Sequence, residues 1–137
     1  PIHGDSIELQ QVILNLVINA AQAMHDSDSK VILLTTSVFD KAVRVSVRDE
    51  GSGIGADHLH WIFEPFHTTK PGGTGMGLAI NRTIIDAHRG RIWAERNQDQ
   101  GMTFTFQIPA NGTGVNRIHG SPSGRLITET NESNHAQ

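Results

Sequence analysis

Two short glycine clusters frame the chemistry of this chain: Asp49-Glu50-Gly51-Ser52-Gly53-Ile54-Gly55 and Gly73-Thr74-Gly75-Met76-Gly77-Leu78. Asp49 follows a run of alternating valines, where a carboxylate can accept a hydrogen bond from an exocyclic amine and select a base. Asp-Glu-Gly is also ordinary turn chemistry. Gly51, Gly53 and Gly55 let a backbone pass close to a planar ligand or adopt positive φ. The second cluster leads into a helical pattern, so freed N–H groups and a helix N-terminus together suit an anion. No Lys-Ser or Lys-Thr follows its last glycine, which separates it from a P-loop. It is also no dinucleotide fingerprint, because the flanking strand and later acidic residue are missing. A glycine-rich hinge is the plainer alternative.

Two further features lie around these clusters. Asn15 and Asn19 stand one turn apart on one helix face, and an amide carbonyl is a hard-oxygen ligand of the kind Mg²⁺ takes in small number. The plainer reading is a solvated polar stripe, since Glu8, Gln11, Asn15, Asn19, Gln22 and Asp26 recur at three- and four-residue steps. Lys70, in Phe63-Glu64-Pro65-Phe66-His67-Thr68-Thr69-Lys70, can offset phosphate charge. The eight His show no metal-ligating spacing. Trp61, Phe63 and Phe66 are expected as core or lid anchors. In this order, the four features point to a nucleotide pocket.

The elements that must position these groups are readable. Asp5 to Met24 reads as a helix capped by Asp5, with Glu8 three residues on. Ile7, Leu14, Val17, Ile18 and Ala21 are expected to face the core. Lys30–Val38 and Ala42–Asp49 read as strands joined by a short turn at Phe39-Asp40-Lys41, an antiparallel hairpin. His58–Phe63 reads as a short helix and Thr68–Gly75 as a loop. A second helix starts at Gly75 or Met76 and runs through Leu78, Ile80, Ile84, Ile85 and Ala87, with Gly90 a plausible stop. Arg91–Arg96 and Met102–Ile108 read as two strands around a polar turn, Asn97–Gly101. The domain is expected to span residues 1–109. Residues 110–137, rich in Asn, Gly, Ser and Thr, are expected to form a mostly disordered tail.

The 137 residues suit one domain, and 36% hydrophobic with 18% charged residues suits a globular one. A net charge of −3 without a basic block argues against a nucleic-acid surface. The absence of Cys excludes disulfides and thiolate metal sites. No stretch reaches the roughly 20 apolar residues of a membrane span. The chain reads as a segment of a longer protein.

These motifs resemble the N, G1, F and G2 boxes of sensor histidine kinases: Asn15-x-x-x-Asn19-Ala20, Asp49-x-Gly51-x-Gly53-Ile54-Gly55, Phe63-Glu64-Pro65-Phe66, and Gly73-Thr74-Gly75-Met76-Gly77-Leu78-Ala79-Ile80. The likeness covers about residues 3–109 in the correct order. It implies the catalytic, ATP-binding fold shared with gyrase-type topoisomerases, Hsp90-type chaperones and mismatch-repair ATPases: an α+β, two-layer α/β sandwich. Its sheet is mixed and mostly antiparallel, with helices on one face. It further implies ATP and Mg²⁺ as cofactors. By resemblance Asn19 ligates Mg²⁺ and Asn15 contacts the phosphates or a metal-bound water. Asp49 binds the adenine amine, and Thr103 supports that contact from the neighbouring strand. Gly53, Ile54 and Gly55 line the base, with Ala23 and Phe63 in the ATP-binding set. Thr69, Lys70, Gly73, Thr74, Gly75, Met76, Gly77 and Leu78 form a lid and phosphate cradle, and Lys70 joins Asn15 and Asn19 as a catalytic residue.

ATP-hydrolysing relatives carry a Glu base where Asn15 stands; an amide cannot take a proton at neutral pH. The resemblance therefore implies slow hydrolysis and transfer to a His on a dimerisation and phosphoacceptor helical domain outside this chain. A response-regulator receiver domain would follow. The expected setting is cytoplasmic, whether or not the full-length protein is membrane-anchored. No nucleic acid and no direct membrane contact are expected; the segment would be monomeric and the full-length protein a homodimer. Alternatives are a nucleotide-sensing module without transfer activity and an anti-sigma-type serine kinase on the same fold.

Overall fold

The computed structural model describes residues 4–66, 77–110 and 126–129. Helix α1 spans Ser6–Ala23. Its first free N–H groups are satisfied by Asp5, whose Oδ1 accepts from the backbone of Ile7 at 2.9 Å and Glu8 at 3.1 Å. Strands β1 (Leu33–Phe39) and β2 (Ala42–Arg48) form the expected hairpin. Asp40 and Lys41 both take positive φ, 51° and 63°, the geometry whose twist matches a two-residue hairpin. Helix α2 spans Gly77–Ala87, and β3 (Arg91–Arg96) and β4 (Met102–Pro109) follow.

The strand order is β3-β4-β2-β1, and Leu126–Glu129 adds β5 beside β1. All of these pairings are antiparallel, so the mixed sheet implied by the resemblance narrows to an antiparallel one. β5 is a short strand within the residues expected as a mostly disordered tail: Leu-Ile-Thr-Glu has strand character and meets the open edge of β1.

The core lies between the helices and one sheet face. Val12, Leu16 and Ala20 of α1 and Ile84 and Ile85 of α2 pack with Val45, Val47, Phe104, Phe106 and Ile108. The expected inner face of α1 is therefore rotated. Ile7, Leu14 and Ile18 are exposed, as is Ala21, and Val17 is only half-buried. Leu9 and Ile13 complete the inward stripe. The opposite sheet face is polar: Ser46 and Thr105 hydroxyls lie 3.0 Å apart, and Arg44 donates to Gln107 Oε1 at 2.8 and 3.2 Å.

His58–Phe63 forms successive turns rather than a helix, with His58 N–H bonded to Gly55 O and Trp61 N–H to His58 O, both at 2.9 Å. Of the aromatics there, Trp61 and Phe66 are exposed and Phe63 is half-buried, while the aliphatic Ile62 is buried. At the end of α2, Arg89 takes the left-handed conformation (φ 65°) and Gly90 N–H closes on Ile85 O at 2.9 Å. Gly90 serves close approach: a Cβ there would lie 2.2 Å from Gln107 O.

Candidate functional site

β2 delivers Asp49 to the helix side of the sheet, where its side chain is 1% exposed. Asp49 Oδ1 accepts from the backbone N–H of Gly51 at 2.8 Å and of Met102 at 3.2 Å. Its own N–H donates to Met102 O at 2.9 Å. Among the described residues Oδ2 accepts no bond and no cation pairs with the carboxylate. Oδ2 is thus the oxygen of this carboxylate with acceptor capacity to spare. Burial pushes the Asp49 pKa above the ordinary Asp range, and the two N–H bonds only partly oppose this.

The sign of that shift sets a pH dependence. The folded state holds the proton more tightly than the unfolded chain, so the stability linked to this group is complete below the unfolded pKa. It is lost as pH rises through the raised folded value. Asp49→Asn keeps an oxygen for both N–H groups without burying a charge. Its stability advantage over wild type should therefore grow as pH rises from 3 to 7. Unfolding midpoints of both proteins across that range check this; a constant difference would contradict it.

The walls around Asp49 are built by close approach. A Cβ on Gly51 would stand 2.4 Å from Ala23 O, and one on Gly101 (φ +89°) would stand 2.2 Å from Asp49 O. The end of α1 therefore meets the first glycine loop directly, and Ser52 N–H donates to Ala23 O at 3.3 Å. Gly53 has φ +81°. Ile54 and Phe63 are half-buried against the core, Phe63 edge-on to Phe104 at 6.2 Å between centroids. Gly55 is exposed.

Thr103 does not reach Asp49. Thr103 pairs with Arg48, so its side chain lies on the opposite sheet face from Asp49. Its hydroxyl donates to Asn97 Oδ1 at 2.6 Å, and Asn97 Nδ2 donates to Asp49 O at 3.0 Å. Direct support comes from the preceding residue, Met102, through its backbone. The β3–β4 turn supplies contacts that sequence reasoning missed: besides Asn97, Gln100 Nε2 donates to Glu50 O at 3.1 Å and Arg48 pairs with Asp99 at 2.9 Å. The Asn97–Gly101 turn was legible as a turn, but its contact with residue 49 joins positions far apart in sequence.

Asn15, Asn19 and Ala23 follow one another at one-turn intervals along α1, all half-buried. Asn15 to Ala23 spans about 12 Å of helix, comparable to the reach of an extended nucleoside triphosphate from base to terminal phosphate. Asn15 Nδ2 donates to Oδ1 of Asn81 on α2 at 3.0 Å. Asn81 is fully buried, and its Nδ2 has no partner among the described residues. Leaving such a donor unpaired costs about 1–3 kcal/mol. A signal for Asn81 existed: Leu78, Asn81 and Ile85 share a helix face, so a polar residue occupies a core-facing position.

Gly77 and Leu78 open α2, Gly77 exposed and Leu78 against the core. Thr69, Lys70, Gly73, Thr74, Gly75 and Met76 lie outside the described residues. Among the described residues no group of three or more His, Asp or Glu is placed to hold a metal. The hard donors of α1 include the amide oxygens of Asn15 and Asn19. They fit Mg²⁺, which keeps several waters and binds through few protein ligands plus substrate phosphates. No helix among the described residues is long and apolar enough to cross a membrane.

Residues 4–112 match the family described as histidine kinase-, DNA gyrase B-, and HSP90-like ATPase. The sensor protein FixL of Bradyrhizobium diazoefficiens is 45% identical over 108 residues, covering 78% of this chain and 21% of FixL. The catalytic domain of histidine kinase ThkA superposes with a TM-score of 0.70 at 41% identity, covering 79% of this chain and 70% of that one. Full-length ShkA in complex with AMPPNP gives 0.66 at 36% identity, covering 74% and 21%. The chain spans a quarter or less of the length of the curated relatives it matches, 24% of one and 12% of another.

Proposed function

Because this chain belongs to the histidine kinase-, DNA gyrase B-, and HSP90-like ATPase family, we propose that it is the ATP-binding catalytic domain of a two-component sensor histidine kinase. In this reading it binds ATP with Mg²⁺ and donates the γ-phosphoryl group to a His on a helical dimerisation domain outside the chain. A receiver domain of a response regulator accepts the group next. The observation that carries the reading is Asp49: a buried carboxylate, two backbone donors on one oxygen, and the other oxygen left for an amine. The similar protein ShkA is in complex with AMPPNP, an ATP analogue, and lends support on the ligand.

The base is selected by Asp49 and sits along Gly53, Ile54 and Gly55, while the phosphates extend along α1 toward Asn19 and Asn15. Thr69, Lys70 and Gly73 to Leu78 serve as the lid and phosphate cradle in this reading. Asn19, with Asn15, would hold Mg²⁺, and the ion would supply positive charge against that of the phosphates. The acceptor imidazole nitrogen attacks phosphorus in line; the N–P bond forms, the bond to the β,γ-bridging oxygen breaks, and ADP leaves. Asn15 offers water no base, because a neutral amide takes no proton. The domain alone is therefore expected to bind ATP and hydrolyse it slowly.

The test is reconstituted transfer. This domain is mixed with the helical segment encoded immediately upstream in its gene, labelled ATP and Mg²⁺. The expected result is acid-labile label on that segment, lost when the candidate His is replaced. ATP binding without any label, in the mixture and in the covalently joined protein, would overturn kinase activity in favour of a nucleotide-sensing module.

A further inference from the structure

We infer that Asn81 is a positioning residue for Asn15, fixing its side-chain amide so that it offers an oxygen to the nucleotide's metal or a metal-bound water rather than an N–H to a phosphate. This rests on the nucleotide site proposed above and decides between two roles for Asn15. An Asn amide carries an acceptor on one branch and donors on the other, so committing one branch determines what the other presents. Asn15 Nδ2 is committed to Asn81 Oδ1 at 3.0 Å, a contact between residues 66 apart in sequence. Oδ1 of Asn15 accepts no bond among the described residues.

Packing does not call for an amide at position 81. Asn81 has no exposed surface and shares its side of α2 with the buried Ile84 and Ile85. A leucine, with the same branching of heavy atoms, would occupy that position without stranding a donor, whereas Asn81 Nδ2 is buried unpaired among the described residues. A polar group kept at such cost, with its one bond directed at a helix-face residue of the candidate site, is accounted for by what that bond holds. Asn81 itself touches neither substrate nor metal in this account; it acts through Asn15.

A double-mutant cycle tests this. ATP affinity is measured for wild type, Asn15→Ala, Asn81→Leu and the double variant, each with excess Mg²⁺ and with chelator. Asn81→Leu should weaken binding about tenfold with Mg²⁺ and change it by less than about twofold without the metal. The double variant should be no weaker than Asn15→Ala alone, because the second change removes nothing further. Additive losses, or equal losses with and without metal, would overturn the role. In the ligand-free protein, the side-chain amide proton signals of Asn15 should shift and lose protection from solvent exchange in Asn81→Leu. If the protected amide belongs to Asn81 instead, the pairing is inverted and the inference fails. Should Asn81→Leu not fold, Asn81→Ser keeps a weaker acceptor and should show the same metal-dependent split. Wild type that binds no ATP would overturn the underlying site reading; wild type that binds normally while the cycle is additive overturns only Asn81.

Discussion

Asp49→Asn should lower ATP affinity about a hundredfold and reverse the preference between ATP and ITP. Both results follow from the proposed role of Asp49 as the group that reads the base. Oδ1 of residue 49 faces two backbone N–H groups, from Gly51 and Met102, so an Asn there must keep its oxygen on that side. Its NH₂ then takes the place of Oδ2 and confronts the 6-amine of adenine, donor against donor. Two donors left unpaired in a buried site cost about 1–3 kcal/mol each after relaxation, and about 2.7 kcal/mol corresponds to a hundredfold. Inosine carries an oxygen at the same position, which repels the wild-type carboxylate and accepts from the variant's NH₂. Sites built around one hydrogen-bonding pattern reject its inverse strongly. Competition titrations with both nucleotides check this. An equal loss for ATP and ITP would remove base reading from Asp49, and the pH–stability comparison of the same variant separates folding from binding.

The parts of the fold that were legible rest on local chemistry. Asp5 has a side chain that caps, Asp40-Lys41 separates two alternating strands, and Val43, Val45 and Val47 alternate with Arg44, Ser46 and Arg48; each is a short-range signal with one physical solution. The inner face of α1 was not legible because the helix is apolar on more than one side. Ile7, Leu14 and Ile18 make one stripe, and Leu9, Val12, Ile13 and Leu16 make another. The polar stripe through Asn15 and Asn19 does not stand opposite the core, as a simple amphipathic helix would have it, but flanks it. Asn15 is half-buried against α2 for that reason.

The candidate site divides in the same way. Asp49 and its glycines are announced by a strand running into a turn, whereas their supports are not. Gly101, Asn97 and Gln100 reach residues 49 and 50 across the sheet end. Thr103 was expected at Asp49, on the neighbouring strand, because the resemblance implies that role for it. Strand alternation sends its side chain to the other face, and Met102 occupies the position that faces the site. A one-residue offset of this kind is fixed by register, which the motif does not encode.

Asn19→Ala should remove most of the affinity that Mg²⁺ adds to ATP binding, about ten- to a hundredfold by analogy with losses at metal sites, and leave metal-free binding unchanged. The reasoning starts from the helix. Val12, Leu16 and Ala20 anchor α1 in the core with next to no exposure, and Ala is a better helix former than Asn, so the substitution does not threaten the scaffold. Asn19 lies one turn from Asn15 and one turn from Ala23, whose carbonyl borders Gly51. In the proposed reading it therefore stands between the pocket for the base and the end of the site assigned to the terminal phosphate. A neutral oxygen adds little to phosphate binding itself, since it has no charge to offer an anion. Its value is to a hard cation, and Mg²⁺ with so few protein ligands has none to spare. The loss should thus appear only in titrations containing Mg²⁺, and Asn19→Asp, which restores an oxygen with added charge, should recover metal dependence. If Asn19→Ala weakens binding equally in Mg²⁺ and in chelator, Asn19 contacts the nucleotide rather than the metal, and the metal must be held by Asn15 and the phosphates.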